Sequence, residues 1–438
     1  MYDIAAPAVY MHETVAANET YRGRVDRVVA ALQKPVTPVV YTDEQLPDLV
    51  LKHNLLARRG TPMGMMKEVE DPILLFNTFR FEPKEAIQAR AKMLQDRGMK
   101  PGQCLRGLLG SGAFHWFDAN LETDAAKDDK VCRPCWRIHL EEGCLHQCKY
   151  CGLGGLLTTM VNVEEYCKYL GQIIEKHPWQ TTYLLDDDAD PPGLEPELGI
   201  LGYLIEYFGT LKDRYLIIHT KTWNTKWMRN LKHNGNTIIV WSISGPTQSR
   251  LIEPKTGTTE ERIEAARIAQ EAGYQIRYKF KPIIPVRNWR KDAAESVALL
   301  FEKTKPDVIS LCCFMWMEVE DMKRRLPLDL LDPECLKAAE ESKAEVKDTR
   351  AKPFPHRVRA EIYDFYLQEI RKHDPKVPVS LSTENFRMWG EFTRKLGMTA
   401  TNYVCGCGPQ STPGKKKLGC HAFKVAVRNE GAIPGVTG

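Results

Sequence analysis

The sequence predicts an α/β protein, a partial (β/α)6 TIM-type barrel carrying N-terminal and C-terminal extensions. Two observations predict it. From about Trp136, short β-branched runs alternate with helical stretches, the pattern of repeated βα units around a parallel sheet. Six such units follow one another, which favours a partial barrel, although a doubly wound open sheet would read much the same.

The strand candidates are WRIHLEE from Trp136, TTYLLD from Thr181, YLIIHT from Tyr215, TIIVWSIS from Thr237, YQIRYKFKPII from Tyr274 and DVISLCC from Asp307. Between them, VEEYCKYLGQIIEKH, ELGILGYLIEYF, TTEERIEAARIAQEAG and AAESVALLFEKT place apolar residues three and four apart, as amphipathic helices do. Residues 1–130 carry weaker periodicity and form an N-terminal extension, with a helical stretch at PKEAIQARAKMLQDRG. Residues 131–320 make the barrel. Residues 321–438 hold further helices, a short strand VPVSLST and a Gly, Pro and Lys-rich loop bearing cysteines.

A chain of 438 residues with 43% hydrophobic and 27% charged residues is globular in composition. No apolar run reaches the roughly 18 residues of a membrane span, so no membrane association is expected. The N-terminus lacks a basic stretch followed by an apolar core, and a cytoplasmic location is expected. A net charge of +4 gives no general argument for nucleic-acid binding.

Thirteen cysteines are many for such a chain, and clustered cysteines more often bind metal or do redox chemistry than form disulfides. The strongest cluster is EEGCLHQCKYCGLGG, a C-x3-C-x2-C motif at Cys144, Cys148 and Cys151 directly after the first strand. Three thiolates are one short of the set that fills a cubane, which leaves one iron open. Gly152, Gly154 and Gly155 let backbone approach the site without a Cβ in the way. A zinc knuckle or chance crowding is the plainer alternative, but zinc sites usually pair C-x2-C spacings.

The motif resembles that of the radical S-adenosylmethionine (SAM) superfamily, and the region from about Arg137 to Cys313 resembles its spore photoproduct lyase group. HTKTWN, LKHNGNTIIVWSIS, EPKTGTTEERIEAARIAQEAGY and KPIIPVRNW carry the resemblance. It implies a 4Fe-4S cluster on Cys144, Cys148 and Cys151 that binds SAM and cleaves it to a 5'-deoxyadenosyl radical. It also implies an electron donor such as flavodoxin or ferredoxin. By the same resemblance Tyr150, Lys221 and Ser242 are cofactor-binding, a surface lysine and a core-lining serine being the bland alternatives.

Two departures from the group shape the functional expectation. Its members place a hydrogen-donating cysteine a few residues before D-P-x-G-L-E; here that stretch is Asp190 to Glu195 and the donor position falls near Asp187. With no cysteine there, DNA repair is not expected; of the acidic run Asp186, Asp187 and Asp188, the superfamily resemblance implies that one binds the SAM ammonium, and Asp187 is read as a catalytic group and Asp188 as that partner, with a solvated turn or substrate binding as alternatives. At the C-terminus, Cys405, Cys407 and Cys420 fit a second iron-sulfur cluster, with a zinc site or free thiols as alternatives. A fourth ligand from Cys132 or Cys135 is one option; about nine residues of extended chain separate Cys135 from Cys144, roughly 30 Å at most at about 3.3 Å per residue, so such a cluster is expected to lie away from the radical and serve structure or electron transfer.

The resulting expectation is a radical SAM enzyme, a lyase or transferase acting on a small-molecule or nucleoside-like substrate, with sulfur transfer or substrate binding at an auxiliary cluster. Nucleic acid is not the favoured partner. The alternatives are modification or repair of nucleic acid, as in spore photoproduct lyase, and a non-catalytic iron-sulfur or zinc binding module.

Overall fold

The computed structural model describes residues 1–53, 71–100, 106–117, 131–132, 135–186, 188–315, 318–346, 353–408 and 410–419. Asp187, Cys420, Cys104 and Trp316 lie outside the described residues.

Six parallel strands follow one another in chain order across one curled sheet. They are β5 (Cys135–Ile138), β8 (Thr182–Leu185), β9 (Tyr215–Thr220), β10 (Thr237–Ile243), β11 (Gln275–Ile283) and β12 (Ile309–Cys313). A seventh, β13 (Val379–Leu381), extends the parallel edge beyond β12, and β4 (Phe114–Phe117) pairs antiparallel with β5 at the other. The partial barrel is therefore the architecture present. Helices Val163–Lys176, Ile200–Gly209, Thr259–Glu271 and Trp289–Lys303 connect its strands as the periodicity predicts. The third starts at a capping box, Thr258 with Glu261, a pairing that satisfies two otherwise orphaned backbone donors.

Side-chain alternation with period two sorts each strand into two faces. Trp136, Tyr183, Leu216, Ile218, Ile239, Trp241, Tyr278 and Phe280 join the large core beneath the helices. Trp241 and Tyr278 are packing residues: the Trp241 indole donates to the Thr222 carbonyl and the Tyr278 hydroxyl meets Thr304. The residues between them, among them Arg137, Leu184, His219, Ser242, Lys279 and Lys281, face the lumen.

The N-terminal region is more than an appendage. β1 (Val9–His12), β2 (Val39–Tyr41) and β3 (Ile73–Asn77) form a second sheet with β6 (Glu141–Glu142) and β7 (Leu156–Met160), in the order β2-β1-β3-β7-β6. This sheet takes strands from both sides of residue 130. The run WRIHLEE, which reads as one strand, splits between the two sheets. The cause is Asp186, buried with a left-handed φ of 37°, whose carboxylate accepts the backbone N–H groups of Leu140 (3.1 Å) and Glu141 (3.1 Å) where strand pairing would otherwise continue.

Candidate active site

The C-x3-C-x2-C loop is the connection between the antiparallel pair β6 and β7. Gly143 starts it at φ 107°, and a Cβ there would lie 2.0 Å from the Leu156 carbonyl oxygen, so only glycine fits. The loop is tied to the barrel by backbone bonds from Gly143 to Asp188 (3.2 Å), Gln147 to Pro254 (3.2 Å) and Lys149 to Ile252 (2.9 Å). Cys144, Cys148 and Cys151 thereby reach the mouth of a lumenal cavity of about 640 Å³, at the C-terminal ends of the strands, where barrel active sites form. Burial pushes all three thiols up, Cys148 to about 12, and Cys144 and Cys148 also feel a neighbouring thiol of the set. Three thiols on one loop at the edge of a cavity suit a cluster held with one iron open, although among the described residues no three metal-ligating side chains stand in ion-holding geometry.

Lys221 and Ser242 line the same cavity as the triad, and so does Asp188. Lys221 follows β9 directly, and its ammonium donates to the Tyr150 hydroxyl (2.8 Å) and lies 3.5 Å from the Glu253 carboxylate. Tyr150 in turn donates to Glu253 (2.5 Å). Glu253 is the centre of this network: it also accepts from Ser244 (2.8 Å), Gln248 (3.1 Å) and the fully buried Arg262 (2.7 Å). Burial alone would raise its carboxyl, but Lys221 and Arg262 overcome that and hold it well below the usual carboxylate range.

A second carboxylate organises the other wall. Asp190 accepts from the Tyr2 hydroxyl (2.7 Å), from the backbone N–H of Lys221 (3.2 Å) and from His146, 2.5 Å away within the cysteine loop. Burial works against its ionisation, and His146 and the hydrogen bonds bring it below the ordinary value. Tyr2 stacks on Trp223 with ring centroids 4.4 Å apart, closing the space behind the loop.

The sequence reading missed Glu253, Arg262, Asp190 and His146 as site residues. Three of them lie in stretches that carry the family resemblance, but carboxylates in EPKTGTTEE and DPPGLE give no sign of which is buried. Asp186 has a strand-end structural role, with its carboxyl raised to about 6 by burial against the opposing pull of His139.

Cys407, Cys132 and Cys135 line the far end of the same cavity. Cys135 opens β5 and Cys144 follows that strand, so the two motifs lie at opposite barrel ends, with one lumen between them.

A partial parallel barrel whose three-cysteine loop meets a lysine, a serine and an acid on one lumenal cavity resembles the domain of radical SAM proteins. Residues 127–317 match the family model described as spore photoproduct lyase, and the chain is spore photoproduct lyase-like over that region. The spore photoproduct lyase of Clostridium acetobutylicum is 29% identical over 177 residues, 38% of this chain and 53% of that relative. The Bacillus subtilis enzyme is 30% identical over 175 residues, 38% of this chain and 50% of that relative. The chain thus spans about half the length of these curated relatives. A solved spore photoproduct lyase variant with bound AdoMet and dinucleoside spore photoproduct shares the fold, with 16% identity, a TM-score of 0.54, and coverage of 86% of this chain and 98% of that one. No helix among the described residues is long and apolar enough to cross a membrane.

Proposed function

We propose that this chain is a radical SAM enzyme acting on a nucleic-acid-derived substrate of the spore photoproduct kind. The observation that carries the reading is the shared cavity: the cysteine triad, Lys221, Ser242 and Asp188 face it from separate loops and strands. The preference for a small metabolite gives way here. The curated relatives matched are spore photoproduct lyases, and one solved structure of the same fold holds a dinucleoside photoproduct, so disfavouring nucleic acid has no support.

Cys144, Cys148 and Cys151 would hold a 4Fe-4S cluster, which with SAM supplies a 5'-deoxyadenosyl radical for hydrogen abstraction. The chain's own residues bind and orient. Lys221, held between Tyr150 and Glu253, offers a cation to a carboxylate, while Asp188 offers an anion to an ammonium. Ser242 offers a hydroxyl from β10 to a ribose or carboxylate. Arg137, Lys279 and Lys281 give the lumen a positive wall suited to a phosphodiester. The lumen walls keep the reacting centre from bulk water.

The test is anaerobic incubation of reduced, iron-loaded protein with SAM, with and without dinucleoside spore photoproduct, following methionine, 5'-deoxyadenosine and thymine dinucleoside. Cleavage that the Cys144→Ala, Cys148→Ala, Cys151→Ala triple variant abolishes is expected, with consumption of the photoproduct. Undiminished cleavage in that variant would overturn the class assignment. Cleavage that leaves the photoproduct untouched would return the substrate to the small-molecule class.

A further inference from the structure

We propose that Cys132, Cys135, Cys405 and Cys407 form a second iron-sulfur site, on the floor of the barrel lumen opposite the triad. Two cysteine pairs from opposite ends of the chain converge there. Cys132, Cys135 and Cys407 line one cavity, Cys135 and Cys407 pack in one small cluster with Leu184, Ile217, Ile238 and Val240, and the buried Cys405 stands two residues before Cys407 on the same loop.

The loop that delivers Cys405 and Cys407 is built into the barrel, and the means are polar and buried. The Arg277 guanidinium, projecting from β11, reaches the carbonyls of Cys405 (3.4 Å), Gly406 (3.4 Å) and Ser411 (2.6 Å) while pairing with Asp307 (2.8 Å). Thr182 donates to the Gly408 carbonyl (3.1 Å), and the Gly406 N–H donates to Ser310 (3.3 Å). A Cβ on Gly406 would come within 3.1 Å of Val240, so the backbone between the two thiols approaches the lumen wall as closely as glycine allows. On the other side, the Val131 N–H donates to the Glu384 carbonyl (2.7 Å), which sets Cys132 against the strand-end residues after β13. Anchors of this number fix two thiols in place; a mobile tail needs none of them.

Lys279 and Lys281 line the same cavity as Cys132, Cys135 and Cys407, where a cluster held by four thiolates would place net negative charge. Cys420, read from the sequence as a third C-terminal ligand, is not needed for the set.

The experiment starts from the Cys144→Ala, Cys148→Ala, Cys151→Ala variant of the full chain, reconstituted anaerobically with iron and sulfide. About four iron and four sulfide per chain are expected to remain, with a reducible cluster signal by electron paramagnetic resonance. Adding Cys405→Ser and Cys407→Ser is expected to remove them while leaving the far-ultraviolet circular dichroism unchanged. Wild-type protein gives a readout free of folding artefacts: in the loaded state Cys132, Cys135, Cys405 and Cys407 are protected from alkylation, and chelation exposes them. No iron in a folded triad variant, zinc without sulfide, a cluster that survives loss of Cys405 and Cys407, or alkylation of these four thiols in loaded wild type would each overturn the proposal.

Discussion

Replacing Glu253 tests the site at its most connected point. The carboxylate has no solvent exposure, accepts from four donors, Tyr150, Gln248, Ser244 and Arg262, and has the Lys221 ammonium 3.5 Å away. Glu253→Ala leaves the fully buried Arg262 guanidinium without its counter-charge, and breaking a buried ion pair from one side costs about 3–5 kcal/mol. Glu253→Gln retains the shape and loses the charge, so about 2–3 kcal/mol is expected, the range of a charge-assisted hydrogen bond. The loss is read from the first transition in urea. Removing both charges, as Glu253→Leu with Arg262→Met, is expected to recover most of the stability, because no buried ion is then stranded. It is not expected to recover SAM affinity, since Lys221 still lacks the partner that orients it. A loss below about 1 kcal/mol in Glu253→Ala, or full SAM binding in the double variant, would refute the network as drawn.

Lys221→Met removes the cation facing the cavity, and an approximately 10–100-fold rise in the KM for SAM is expected in the cleavage assay, the equivalent of one charge-assisted contact. Gly143→Ala forces a Cβ into the Leu156 carbonyl; reduced iron in the reconstituted chain and a lower melting temperature are expected, while wild-type values would remove the steric argument. Glu195, which accepts from the N–H groups of Gly199 and Leu201, has its carboxyl raised by burial to about 7. Its contribution is therefore fully present below pH 4.5 and is lost as pH rises through 7, by about 3 kcal/mol. Glu195→Gln is expected to flatten that part of the stability profile measured by denaturant titration across pH 4 to 8.

Much of the barrel was legible because its strands obey a strict alternation: Ile239, Trp241 and Ile243 face one way and Val240 and Ser242 the other. The triad was legible because ligand spacing within one loop is a local property. The N-terminal sheet was not, because three of its five strands are separated from β6 and β7 by long stretches of chain, and pairing at that separation leaves no local trace. Glu253 and Arg262 look like ordinary helix-flanking charges until tertiary packing encloses them. The same holds for the meeting of Cys132 and Cys135 with Cys407, which depends on where the C-terminal loop docks.

The cysteine loop joins β6 to β7 within the N-terminal sheet, while its sides are stitched to the barrel at Asp188, Ile252 and Pro254. That placement has a consequence for assembly during synthesis. β1, β2 and β3 emerge from the ribosome first but cannot complete their sheet until β7 arrives, and the walls that receive the loop arrive later still. The cysteine loop therefore gains the wall behind it only after β10 and the turn through Ile252 and Pro254 have formed, so the order of synthesis places completion of this site last.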